Sequence, residues 1–365
     1  MLVSELLDSL NNFFPPALKE IYDNVGLLVG SPSQKISGVL VSLDVTEAVL
    51  DEAIAENYNV IVSHHPVIFS GLKSITGKNY TERIIIKALK NDVALVAIHT
   101  NLDNMLLGVN QKICEKIGLE NTQILLPKQG ILQKLVAFVP ETHAEVLKNA
   151  LFAAGAGEMG DYTNASFSSV GIGSFLPNVG AKPFLGEVGR LQQVAETRVE
   201  VVFEQYKEKR VLKAFFETHP YQTPAYDLIQ LTNTVAHIGS GMVGSLPQPM
   251  PEVAFLEHIK KQFGVKMVRH TALSNQKISK VAVCGGSGST LLTNAIAAKA
   301  DVYISADFKY HQFFDADSKI LIADIGHYET EQFTCEIIND FLSKKMSNFA
   351  PTKITKINTN PIYYT

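Results

Sequence analysis

The stretch Val60-Ile61-Val62-Ser63-His64-His65-Pro66 constrains the fold more than any other part of the chain. Its β-branched apolar run reads as a short buried strand. Pro66 has no backbone N–H, so it stops the ladder and pushes His65 towards an extended conformation. The strand therefore ends on two imidazoles, at the place where open α/β sheets hold their ligands. Neutral imidazole is the commonest protein metal ligand. Adjacent side chains point in different directions, so the pair suits two neighbouring ions, or one ion if the backbone turns sharply. A polar turn that happens to carry two histidines is the alternative.

Context favours chemistry. Residues 2–14 have helical apolar spacing and stop at Pro15-Pro16. Residues 22–30 form a polar turn feeding a short strand, in which Asp23 and Asn24 either line a pocket or bond their own backbone. Residues 38–43 read as a strand and 46–56 as an amphipathic helix, so the histidine strand closes a β-α-β unit. A polar, glycine-bearing loop at 71–79 follows, then a helix at 81–91 and an apolar strand at 93–98. That strand also ends in polar residues, His99-Thr100-Asn101-Leu102-Asp103-Asn104. Strands at 280–284, 301–305 and 319–324 continue the pattern. The last leads into His327-Tyr328-Glu329-Thr330-Glu331 at the start of a helix reaching about residue 344.

Between 131 and 235 the texture changes. Strand, helix, strand, strand, helix, strand follow in order, the βαββαβ arrangement of ferredoxin-like domains. The glycines and prolines of 239–251 read as the linker back. The expected organisation is an α/β metal-binding core, 1–130 with 236–365, interrupted by an inserted domain at 131–235.

Composition disfavours several classes. A net charge of -4 leaves no basic footprint for nucleic acid or an anionic membrane. Three scattered cysteines with no CxxC pair argue against a thiolate zinc site or a disulfide framework, and fit a reducing cytoplasm. There is no signal-peptide pattern at the start and no apolar run of about 18 residues to span a bilayer.

His327 and Glu331 lie one helical turn apart on one face, a good bidentate arm for a metal, although such pairs also decorate exposed helices. With His64, His65 and Asp103, all near strand ends of an α/β sheet, they make three imidazoles and two carboxylates that can converge on one crevice. Five N/O donors exceed what one catalytic zinc needs and suit two divalent ions about 3.5–4 Å apart. Zinc, manganese, iron, cobalt and nickel all accept this donor set, with zinc the first expectation. Two-metal sites activate water, so hydrolysis is the natural inference.

Other residues admit two readings each. His99 either orients a ligand or is a hydrogen-bonded structural histidine. Asp307 and His311 either make acid–base or substrate contacts or cap the next turn. The loop 285–289 either cradles a phosphate on its N–H groups or is a tight turn. His219 and Tyr221 in the insert read as packing and turn residues, and Cys284 as a buried, inert thiol.

The segments SHHPVIFSG (63–71), IHTNLDN (98–104) and IGHYETEQF (325–333), with YDNVGLLVG (22–30), resemble the GTP cyclohydrolase 1 type 2 homologue family. Its members are also known as Ngg-interacting factor three-like proteins. The resemblance covers about 1–130 and 236–365. It implies a dinuclear metal site with His64, His65, Asp103, His327 and Glu331 as ligands, and a toroidal homohexamer. The middle segment, ending in His219-Pro220-Tyr221-Gln222-Thr223-Pro224-Ala225-Tyr226, resembles the PII/CutA-like insert of longer members. The implied activity on a small-molecule substrate, a nucleotide, is water attack at C8 of GTP with release of formate. A second reading is a regulatory or scaffold protein in which the metals hold a ring together and the insert senses a ligand or partner.

Overall fold

The strand Val60–Ser63 is buried along its whole length, flanked by parallel partners Val39–Ser42 and Ala94–Ala97. The computed structural model describes residues 1–365, in which two units separate: Met1–Pro127 with Ala236–Thr365, and Lys128–Val235.

In the first unit a five-stranded sheet runs Gly26–Val29, Ala94–Ala97, Val60–Ser63, Val39–Ser42, Thr352–Ile354, with only Gly26–Val29 antiparallel to its neighbour. Alternate side chains serve opposite faces. Leu40, Ile61 and Leu95 pack under the helices Glu47–Ala55 and Tyr80–Lys90 through Leu50, Ile84 and Ile85. Those helices start cleanly because Thr46 and Asn79 accept hydrogen bonds from the backbone N–H groups of Val49 and Glu82.

Val62 and Val96 face the other way, into a core shared with a second sheet. That sheet has six strands in the order Arg269–His270, Leu321–Asp324, Val302–Ala306, Lys277–Ser287, Gly239–Pro251, Glu120–Pro127. Leu6, Ile113, Phe255 and Ile338, from four helices, lie in that shared core together with Val283 and Ile304 of the second sheet. No helix is long and apolar enough to cross a membrane.

Two sequence expectations need correction. Residues 239–251 are not a linker but a strand lying antiparallel between Lys277–Ser287 and Glu120–Pro127. Met242 and Val243 are buried in it, and a side chain at Gly244 would meet a Thr122 carbon at 2.9 Å. The prolines fall at or beside the register shift between Ser245 and Met250, where a strand tolerates them. Glycine and proline there mark close packing and a bulge. The helix expected from about 327 to 344 is two pieces, His327–Glu331 and Thr334–Met346.

In the second unit the strands Leu132–Pro140, Ser166–Phe175, Gln192–Glu204 and Tyr226–Gln230 and the helices Ala144–Ala153 and Glu208–Thr218 follow the βαββαβ order. Its antiparallel sheet is ordered Ser166–Phe175, Gln192–Glu204, Leu132–Pro140, Tyr226–Gln230. Leu135, Val199 and Val201 pack against Leu147, Leu151 and Phe215 of the helices, giving this unit its own core.

Phe255 is fully buried where helix and sheets meet. Phe255→Ala is expected to cost about 3–5 kcal/mol in chemical denaturation. A loss below about 1 kcal/mol would mean that the shared core is not organised around that ring.

Candidate metal centre

Each donor is delivered by a strand end. After Val60–Ser63 the backbone keeps its ladder for two more residues, His64 N–H donating to Ser42 O at 3.1 Å and His65 N–H to Leu43 O at 2.9 Å. Both rings are thus fixed relative to the sheet. His64 is 0% exposed, and its Nδ1 lies 2.9 Å from Ile98 O, which can only accept. The proton therefore sits on Nδ1, and the Nε2 lone pair points into the site. Burial holds this imidazole down at about 4, so it is neutral, as a ligand must be.

Ala94–Ala97 leads to His99 and the short helix Thr100–Asp103, which presents Asp103. His327 and Glu331 come from the other sheet, on the helix after Leu321–Asp324, entered through Gly326 at φ +102°. The single sheet expected from sequence is thus two sheets whose strand ends face one crevice.

Glu331 occupies the centre. It is 3% exposed, and its two oxygens face different neighbours. Oε1 lies 3.8 Å from His64 Nε2, which is itself 3.6 Å from Asp103 Oδ1. Oε2 lies 2.9 Å from His65 Nε2 and 3.1 Å from His327 Nε2, and those two nitrogens are 3.3 Å apart. His64 Nε2, Asp103 Oδ1 and Glu331 Oε2 are buried without a properly aligned hydrogen-bond partner. Orphaned buried polar atoms are uncommon, and here they converge on one another. His64, Asp103 and Glu331 form one group of donor atoms within 4.8 Å that could hold an ion, and His65, His327 and Glu331 form another. The N/O donor set fits a borderline divalent cation.

The electrostatics carry the same message. Burial, then the charge of Glu331, pushes the Asp103 carboxyl well above its ordinary range. Burial also works against the charge on Glu331, but the close His327 and His65 imidazoles outweigh it and hold that carboxyl well below. Burial opposes protonation of His65 and His327 too. The contacts with Asp44 and Glu331 nevertheless lift His65 to about 10, and those with Glu331 and Asp307 lift His327 to about 9. Without another cation, positive charge on the imidazoles balances the central carboxylate.

A ring of carboxylates holds the imidazoles from behind. Asp44 lies 2.7 Å from His65 Nδ1, Asp307 2.7 Å from His327 Nδ1, and Asp23 2.7 Å from His99 Nδ1. Each acid fixes a ring orientation and leaves Nε2 facing inward. Asp307 sits at φ +59°, a left-handed conformation that Asp tolerates. His99 stands with its ring centre 5.2 Å from His64 and 5.4 Å from His65, and forms a third possible donor group with them. His311 is not brought in; it is exposed on a 3-10 segment against Tyr310 and Phe314.

Asp23 fulfils both readings offered for it: it accepts from the neighbouring Asn24 N–H at 2.7 Å and, buried, also from the Thr100 N–H at 3.0 Å. Asp44 was missed altogether. Its signal was available, because it follows the end of Val39–Ser42 just as the histidines follow theirs. The glycine loop carries no free cradle. The N–H groups of Gly285, Gly286 and Gly288 donate to Asn110, Thr330 and Ser305 at 2.9, 2.9 and 3.0 Å. A side chain at Gly286 would lie 2.2 Å from Glu331 Oε1, so glycine there makes room for the central carboxylate. Burial pushes the Cys284 thiol up to about 12, leaving it no role as a thiolate.

With this geometry established, likeness to known proteins is informative. Residues 1–361 match the family model of Duf34/NIF3 (NGG1p interacting factor 3). A Bacillus subtilis protein named GTP cyclohydrolase 1 type 2 homolog is 37% identical over 99% of this chain and 98% of its own length. A Staphylococcus epidermidis protein of the same name is 36% identical over the whole of both chains. Among solved structures, a Bacillus cereus protein related to NIF3 superposes with a TM-score of 0.87 at 36% identity, covering 100% of this chain and 99% of that one.

The acids behind the imidazoles have a measurable consequence. Asp44→Asn and Asp307→Asn are each expected to weaken zinc binding by about 10–100-fold in competition with a chromophoric chelator, whereas His311→Ala leaves it unchanged. Equal affinities in all three variants would show that these carboxylates do not position the rings.

Proposed function

Because the chain belongs to the Duf34/NIF3 (NGG1p interacting factor 3) family, we propose that it is a metal-dependent hydrolase working with two divalent ions. His64 and Asp103 would hold one ion and His65 and His327 the other, with Glu331 a donor in both groups. The observation that carries this reading is the split face of Glu331, with one oxygen towards His64 and the other towards His65 and His327. Zinc is the first candidate, and manganese, iron, cobalt and nickel suit the same donors. Two such ions, when bound, make water nucleophilic near neutral pH and neutralise charge on the reacting group.

The remaining work falls to the chain's own side chains. Asp44 and Asp307 keep the rings of His65 and His327 in the ligating tautomer. His99, aligned by Asp23 beside His64 and His65, holds or moves a proton at its inward Nε2. The substrate is a small molecule, and a nucleotide is the first candidate. Relatives carry the name GTP cyclohydrolase 1 type 2 homolog, which supports opening of the GTP imidazole ring at C8 with loss of formate. We also assign the insert to the PII/CutA-like group on its βαββαβ order, and the whole protein to a homohexamer.

Metal analysis of the purified chain, with a formate-release assay on GTP, tests the reading. Two ions per chain are expected, falling to one or none in Glu331→Gln, with formate release lost in parallel. Full metal loading without turnover on any of a broad nucleotide panel would overturn the hydrolase assignment. Light scattering should give six times the 40.0 kDa chain mass, and a monomer or dimer would remove the ring.

A further inference from the structure

The inserted unit contains a second built site. Its helices cover one face of the four-stranded sheet. On the other face, the segment 177–184 and the strands line an open-mouthed cavity of about 590 Å³. Its walls are aromatic: Phe138, Phe175, Phe184 and Tyr221, with the Phe175 and Phe184 ring centres 5.8 and 6.4 Å from that of Tyr221. The segment is tied down where the Lys182 N–H donates to Gln222 Oε1 at 2.9 Å.

One carboxylate lines this cavity, that of Glu196, 8% exposed. Its Oε1 accepts from the Tyr221 hydroxyl at 2.7 Å. Its Oε2 lies 2.1 Å from where a side chain at position 173 would begin, so Gly173 leaves the room it occupies. No cation is committed to it. Arg198, two residues along the same strand face, pairs with Glu200 at 3.0 Å, and Lys182 is an exposed side chain. His219 is nearby but neutral. It donates from Nε2 to Phe138 O at 3.0 Å and accepts on Nδ1 from the Tyr221 N–H at 3.1 Å, and burial pulls its basicity down. A desolvated carboxylate holding a single neutral hydrogen bond is costly to keep in an apolar pocket. A carboxylate among aromatic faces is what an organic cation requires.

We propose that this cavity binds an organic ammonium ion with an apolar or aromatic body, the ammonium on Glu196 and the body among Phe138, Phe175, Phe184 and Tyr221.

Calorimetric titration of the full-length chain with 2-phenylethylammonium, and with the neutral, nearly isosteric 2-phenylethanol, tests this. The amine is expected to bind at least about ten-fold more tightly than the alcohol. Glu196→Gln keeps an acceptor for Tyr221 while removing the charge, so it should erase that preference and leave the alcohol unaffected. Phe184→Ala removes a half-exposed ring outside the core and should weaken both probes. Equal affinity for amine and alcohol, no uptake of either at millimolar concentration, or amine binding that survives Glu196→Gln would each overturn the proposal.

Discussion

The arrangement of the larger unit turns on one buried carboxylate facing three imidazoles. A charge as enclosed as that of Glu331 persists only with close positive or hydrogen-bonding partners. Its partners come from distant parts of the chain: His64 and His65 from the first sheet, His327 from its own helical turn on the second. The two sheets are therefore joined at their strand ends by electrostatics as well as through the apolar core around Val62, Ile113, Phe255 and Val283. Apolar packing is tolerant of small shifts, whereas donors around a common point are not. The precision of the site must come from elsewhere.

It comes from a graded set of supports. Strand ladders fix the backbone at His64 and His65, and carboxylates fix the rings. Those carboxylates are held in turn. Asp44 accepts from the Thr359 hydroxyl at 2.7 Å, and Asp23 is buried against Thr100. Asn360 donates to Glu329, the neighbour of the central acid's own helical turn, at 2.9 Å. The segment after Thr352–Ile354 is thus part of the support for the site, although it supplies none of the inward donors. A ring held only by its first contacts could swing by an ångström, and a site with two layers of restraint cannot do so cheaply.

What sequence could reveal follows from which forces are local. The strand at 60–63 and the histidines closing it were legible because a β-branched run and a following proline act over a few residues. The i, i+4 pairing of His327 and Glu331 was legible for the same reason. Assignment of the donors to two sheets was not, since strand order depends on which faces bury each other across the chain. Residues 239–251 misled because glycine and proline have two uses. In Gly239–Pro251 they permit close approach and a bulge within a ladder, while in a linker they only interrupt one. Asp23 bonds the neighbouring Asn24 N–H as a turn residue does, but its other partners, His99 and Thr100, lie 76 and 77 positions away. No local pattern encodes such a contact.

The two buried acids Glu331 and Glu196 show how much the surroundings decide. Both face aromatic rings and are nearly closed to solvent, and both have a glycine against a carboxylate oxygen, Gly286 for one and Gly173 for the other. Around Glu331 the rings are imidazoles whose inward nitrogens could hold a metal ion, so the acid sits in a set of donors that fits borderline cations. Around Glu196 the rings are Phe and Tyr, and His219 has spent both nitrogens on backbone groups. A bare metal ion would find a single carboxylate there, whereas a cation carrying its own apolar surface would lay it against the rings. The same buried charge selects different partners because one shell offers lone pairs and the other offers π faces.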